Sequence, residues 1–164
     1  MKLSKLTKKN INAVAYIASK SFSGLNGKNK SKNWIGCNFK AYPRMQYFVA
    51  CLPAGRQKRR IAGYILWVEK GGFRNESVWE LEQIAVDENY RGRGIGSELI
   101  EKSFEEIKKY LKKRKSIIKL IEVTTGTENK AQTLYKKTLG AKPECVIKDF
   151  FRGNEVVMIK RFKK

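Results

Sequence analysis

Residues 86 to 96 read Val86-Asp87-Glu88-Asn89-Tyr90-Arg91-Gly92-Arg93-Gly94-Ile95-Gly96, a glycine-rich loop between a strand-like run and a strongly amphipathic stretch. Few segments restrict a fold as much. Glycine lets successive amide N–H groups turn towards one concave point, where side chains would block an anion. The helix that follows adds unpaired N–H groups and its own partial positive charge. Arg91 and Arg93 bring mobile cationic donors to the same place. A pyrophosphate is the occupant this chemistry suits. The triphosphatase pattern GxxxxGK[ST] is missing. The dinucleotide spacing GxGxxG also fails, because Ser97 and Leu99 stand where the third Gly is needed. The strand before the loop also comes mid-chain rather than in an opening βαβ unit.

Elements on either side follow from periodicity. After the loop, Ile95, Leu99, Ile100, Phe104, Ile107 and Leu111 form one apolar helical stripe. Glu98–Lys102 and Glu105–Lys109 support its outer face at four-residue spacing. Lys108, Lys109, Lys112 and Lys113 complement the negative end of the helix dipole. Upstream, Lys2 to Leu6 reads as a short strand, and Ile11, Val14, Ala15, Ala18 and Phe22 as a helix with Thr7 or Asn10 as N-cap. A second helix is expected around Trp34, Ile35 and Phe39, stopped before Pro43. Strands are expected over 46–52, 61–68 and 78–86, with a basic hairpin tip beginning at Pro53-Ala54-Gly55-Arg56. Ile117 to Val123 reads as a strand, 131–137 as a helix ending at Gly140, and 146–151 and 156–162 as a closing pair of strands. The order implies one mixed α/β domain over 1–164, without repeats or linkers.

Composition narrows the chemistry. The chain has 164 residues and no histidine, which removes Ser-His-Asp and Cys-His catalysis. Any general base must be a carboxylate, Lys, Tyr, Cys or a water chain. Cys37, Cys51 and Cys145 are too far apart for a CxxC pair, so no metal site is expected and the thiols read as bystanders. The first residues turn polar at once, and no apolar run suggests a membrane span, so a cytoplasmic protein is expected. The net charge of +21 attracts polyanions, which makes RNA and the ribosome candidate partners. Against this stands a general lysine bias, since Lys is scattered rather than confined to one tail.

Arg91-x-x-Gly94-x-Gly96, following Gln83-Ile84-Ala85-Val86, resembles the acetyl-coenzyme A signature of the GNAT superfamily of N-acetyltransferases. A second segment, Asn129-Lys130-Ala131-Gln132-Thr133-Leu134-Tyr135 through Gly140-Ala141, resembles that family's Asn- and Tyr-bearing helix. Ala141 stands where Phe is commoner. The resemblance implies a single-domain fold whose central, mostly antiparallel sheet is splayed and flanked by helices. It implies that Arg91, Gly92, Arg93, Gly94, Ile95, Gly96 and Ser97 wrap the coenzyme pyrophosphate. Ile84, Ala85 and Val86 would pair with the pantetheine arm, one N–H polarising the thioester carbonyl, and Asn129 would touch the same arm. Tyr135 matches the general acid for the leaving thiolate.

The base is open. Glu80 and Glu82 lie two apart on one strand, hence on one face, with Leu81 and Gln83 on the other. Repulsion between the two, with partial burial, should raise one pKa. Glu122 is a third candidate and water a fourth. The resemblance leaves the acceptor amine open among protein N-termini, lysines, RNA-linked amines and small amines, and the chain a monomer or a homodimer. The rival reading is a basic RNA- or ribosome-binding module with a vestigial coenzyme site.

Overall fold

Alternation along the strands and apolar stripes along the helices place most elements locally. In a computed structural model, which describes residues 1–53, 60–151 and 153–162, eleven strands and α-helices follow one another. They are β1 (Lys2–Lys5), α1 (Ile11–Ser21), α2 (Lys28–Lys40), β2 (Met45–Leu52), β3 (Arg60–Lys70), β4 (Glu76–Val86), α3 (Ile95–Lys113), β5 (Ile117–Gly126), α4 (Ala131–Leu139), β6 (Lys142–Ile147) and β7 (Glu155–Arg161). The strands form one sheet in the order β1-β2-β3-β4-β5-β7-β6. The β1–β2, β5–β7 and β6–β7 pairs are antiparallel, whereas β4–β5 is parallel. The β4–β5 ladder runs from Glu76↔Ile117 to Glu80↔Glu122 and stops there, although both strands continue. Ala54, Gly55 and Arg56 of the expected hairpin tip lie outside the described residues. No described helix is long and apolar enough to cross a membrane.

The chain groups into two compact units. The first comprises Met1–Leu66 and Gln83–Ser103. There α1 packs on α2 and buries Val14, Ala15, Ile17 and Ala18. In β2 the run Gln46–Cys51 is buried throughout, as a strand covered on both faces must be. Asn38 Nδ2 donates to the Tyr47 hydroxyl at 3.2 Å and Ser31 Oγ to Gly27 O at 3.1 Å, so both polar side chains that α2 buries have a partner. The second unit comprises Trp67–Glu82 and Phe104–Lys164. Its core packs the Trp67 ring against Phe104 and Phe104 against Phe162 as tilted pairs, with Trp79 edge-on to Tyr110. Glu69, with 1% of its side chain exposed, is held by both terminal nitrogens of Arg114.

Three expectations need correction. α2 starts at Lys28, well before Trp34, and buries Ser31, Ile35 and Asn38. These are at helical spacing, but two of the three are polar, so hydrophobicity alone does not reveal the stripe. The sixth strand runs from Lys142 to Ile147 rather than over 146–151. Asp149 takes a left-handed φ of 49°, and Phe150 N donates to Gly153 O at 3.2 Å, so the chain turns before it reaches the two phenylalanines. Finally, Glu105 pairs with Lys108 and Glu106 with Lys109, three residues apart, instead of Glu105 with Lys109. Asn10 does occupy the N-cap of α1, but its side chain makes no cap bond. Of the cysteines, only Cys51 is buried, and all three are free thiols.

Candidate active site

In the first unit, β4 ends at Val86 and Asp87 Oδ1 accepts from Asn89 N at 3.0 Å, opening a short 3-10 turn. Gly92 and Gly94 then both adopt φ of 74°, a left-handed conformation that glycine takes without strain. A Cβ built on either would meet nothing within 4 Å, so the loop is open as well as turned. Arg91 through Gly94 are exposed, Ile95 is buried, and Gly96 and Ser97 lie in the first turn of α3. Turned amides, a helix N-terminus and free space together fit an anionic pyrophosphate. Arg91 is less mobile than expected. Its Nε donates to Val86 O at 3.1 Å, tying the loop back to the strand end. The Arg93 guanidinium lies 5.7 Å from the Tyr90 ring centroid.

The strand end beneath the loop depends on a residue that sequence reasoning missed. A Cβ at Gly63 of β3 would come within 2.7 Å of Ala85 O, 3.2 Å of Val86 Cα and 3.3 Å of Leu99 Cδ1. Only glycine allows that approach. Its signal was a lone Gly inside a strand pattern, which marks close backbone contact. The buried Tyr64 hydroxyl donates to Gln83 Oε1 at 3.1 Å on the face of β4 opposite Ile84 and Val86.

In the second unit, β4 alternates as expected: Ser77, Trp79 and Leu81 are buried, while Glu80 and Glu82 share the other face. At the last rung of the β4–β5 ladder, Glu80 stands opposite Glu122. Lys70, at the end of β3, joins them, with Nζ 3.0 Å from Glu80 and 3.2 Å from Glu122. Burial would lower the Lys70 pKa, but hydrogen bonds and charge from Glu80 and Glu122 outweigh it and raise the value. No sequence pattern signalled Lys70, because the pairing that brings it there spans distant positions.

Glu82 stands outside this bridge, and its carboxyl titrates above the usual carboxylate range. The residue keeps solvent-exposed surface, yet the chain around it displaces part of its water. That desolvation is the largest cause, the charges of Glu80 and Glu122 add to it, and Lys70 opposes it. Burial therefore ranks ahead of the carboxylate repulsion expected from sequence.

Tyr135 is buried on α4, and burial pushes its hydroxyl up to about 12. Among the described residues that hydroxyl has no hydrogen-bond partner. At neutral pH it is a proton donor. Asn129 Oδ1 accepts from Ala131 N at 2.9 Å, and its Nδ2 donates to Thr125 Oγ1 at 2.8 Å, so it braces the start of α4. Gln132, unremarked in the sequence, ties the same loop by donating to Thr127 O at 2.6 Å.

An uncharacterized N-acetyltransferase of Methanocaldococcus jannaschii is 32% identical over 134 residues, 80% of this chain. The chain spans about half the length of that relative, 54%. Among solved structures, Arabidopsis thaliana NAA60 in complex with acetyl-CoA has a TM-score of 0.72 at 13% identity, covering 98% of this chain and 97% of the other. The ribosomal-protein-S18-alanine N-acetyltransferase of Escherichia coli has a TM-score of 0.69 at 17% identity, covering 98% and 92%. At such identities these structures speak for the fold. The model of the acetyltransferase (GNAT) family matches residues 11–141, and with the turned glycine loop at the head of α3 this places the chain in the GNAT acetyltransferase family.

Proposed function

We propose that this protein transfers the acetyl group of acetyl-coenzyme A to an amine of a protein or peptide, with residues 1–164 acting as one catalytic domain. The observation that carries this reading is the exposed loop at Gly92 and Gly94, whose left-handed backbone and open space fit a pyrophosphate. Arg91, Gly92, Arg93, Gly94, Ile95, Gly96 and Ser97 would hold that group, and Ile84, Ala85, Val86 and Asn129 the pantetheine arm. The coenzyme supplies an activated thioester, so the protein needs no nucleophile of its own. This suits a chain without histidine.

Two proton transfers remain for the protein. Glu82 removes a proton from the incoming ammonium, directly or through water. Its raised pKa makes it a better base near neutral pH than an ordinary carboxylate. Glu80, bound to Lys70, serves by position and charge rather than by taking the proton. Tyr135, protonated at neutral pH, donates to the departing sulfur. The protein or peptide acceptor is favoured by the fold neighbours, one named for acetylating an alanine of ribosomal protein S18 and one, the NatC complex, solved with Gag peptide and CoA.

The test is a thermal shift followed by a transfer screen. Acetyl-coenzyme A at one hundred times its Kd should stabilise the fold by about 2.7 kcal/mol. For a domain of this size that is a Tm rise of roughly 5–10 °C. Gly94→Val cannot take the left-handed conformation cheaply and should lose most of the shift. A full shift in that variant would mean the coenzyme binds elsewhere. Labelled transfer to peptides, and not to small amines, would establish the acceptor class.

A further inference from the structure

No carboxylate precedes Glu69: fourteen of the 36 Lys and Arg, and none of the 15 Asp and Glu, fall in residues 1–68. A general lysine bias explains many lysines but not the missing acids. The helices in this segment show the consequence. Neither α1 nor α2 has an acidic residue in its first turn. Instead α2 opens with Lys28 and Lys30, at the end of the dipole where cations are disfavoured. Lys28, Lys30, Lys32 and Lys40 are exposed, and among the described residues none has a carboxylate partner. Between them stand exposed Asn29 and Asn33, and Trp34 with 44% of its surface in solvent.

At the C-terminal end of α2 lies a cavity of about 470 Å³, within the size range of small-ligand sites. Its walls are aromatic and apolar, with Phe39, Tyr42, Met45, Tyr47 and Phe48 among them, and Lys5 is its cation. Lys5 Nζ lies 3.4 Å from the Tyr42 hydroxyl and 5.1 Å from the ring centroid. Tyr42 is half-exposed, so its ring is available for stacking. A planar ring that carries an anion matches this combination, and a nucleotide is such a group.

We propose that the acid-free segment binds single-stranded RNA, with phosphates along the lysines of α2 and one unpaired base stacked in the pocket at Tyr42. Single strands offer free base faces to aromatic side chains and phosphates to cations. A concave aromatic pocket favours a base over a lipid surface, which takes protruding apolar groups. The proposal does not rest on the acetyl-transfer reading, and the two fail separately.

The experiment uses the full chain and a fluorescent single-stranded RNA of roughly ten nucleotides, a length in the range that single-strand sites cover. Anisotropy is measured across a salt series. The logarithm of affinity should fall linearly with that of salt concentration, by about 0.7 per phosphate contact. Lys28→Gln, Lys30→Gln, Lys32→Gln together should weaken binding at least ten-fold and flatten the slope by about two. Tyr42→Ala should weaken binding by about five- to one-hundred-fold with the slope kept, and Tyr42→Trp should restore it. All three variants should keep the unliganded Tm and the acetyl-coenzyme A shift. An unchanged slope in the triple lysine variant overturns the proposal. So does equal affinity for duplex RNA, phosphatidylserine vesicles or polyglutamate, which would show a general polyanion surface. If Tyr42→Ala binds RNA like the parent, the pocket does not hold a base.

Discussion

Gly63→Ala adds one methyl where three groups already converge. The new Cβ would sit 2.7 Å from Ala85 O, 3.2 Å from Val86 Cα and 3.3 Å from Leu99 Cδ1. The first two belong to backbone, which cannot swing aside as a long side chain can. Relief requires the end of β4 to move by several tenths of an ångström, or α3 to lift at Leu99, which is fully buried. Overpacking of this kind costs roughly 1–3 kcal/mol. Replacing Gly by Ala recovers about 0.4–1 kcal/mol through the unfolded chain. The net loss should be about 1–2 kcal/mol, read as a lower urea midpoint at unchanged m-value. Gly36→Ala is the matched control. It lies inside α2, a Cβ there meets nothing within 4 Å, and the change should stabilise by about 0.5–1 kcal/mol. Since Ala85 and Val86 lead into the glycine loop, Gly63→Ala should also reduce the acetyl-coenzyme A thermal shift. If Gly63→Ala is as stable as the parent and binds the coenzyme equally, the close approach of β3 to β4 has no structural role.

Other residues give separate tests. Arg114→Met takes the two-pronged guanidinium contact from Glu69, whose side chain is 1% exposed, and should cost roughly 1.5–3 kcal/mol in urea titration, with much of it recovered by Arg114→Met, Glu69→Gln. Glu82 has a raised folded pKa, so the folded state loses stability as pH rises from below the unfolded value through the folded one. Glu82→Gln should therefore melt higher than the parent at pH 7, with the gain vanishing below about pH 4. The same variant should lose the acidic limb of the pH–rate profile, and a retained limb would exclude Glu82 as base. Tyr135→Phe should slow turnover by one to three decades, as loss of a positioned acid does, without changing the coenzyme thermal shift. Because burial lifts that hydroxyl to about 12, Tyr135 should contribute no alkaline limb below about pH 10.

Features that depend on neighbours along the chain are legible in the order of residues alone. The α3 stripe of Ile95, Leu99, Ile100, Ile107 and Leu111 is buried as its spacing requires, and Glu80 and Glu82 share a strand face because side chains alternate. The turn at Gly92 and Gly94 was legible for the same reason, since few residues other than glycine accept a φ of 74°. Where local signals were polar or weak, as in α2 and at the end of β6, boundaries slipped. Tertiary structure decided what depends on register between distant segments. Lys70 reaches Glu122 across 52 positions, and Glu69 meets Arg114 across 45. Nothing in either local pattern marks those partners. The same holds for desolvation: Glu82 and Tyr135 titrate high because other parts of the chain displace their water. A pKa set by exclusion of solvent comes into being only when the chain has packed.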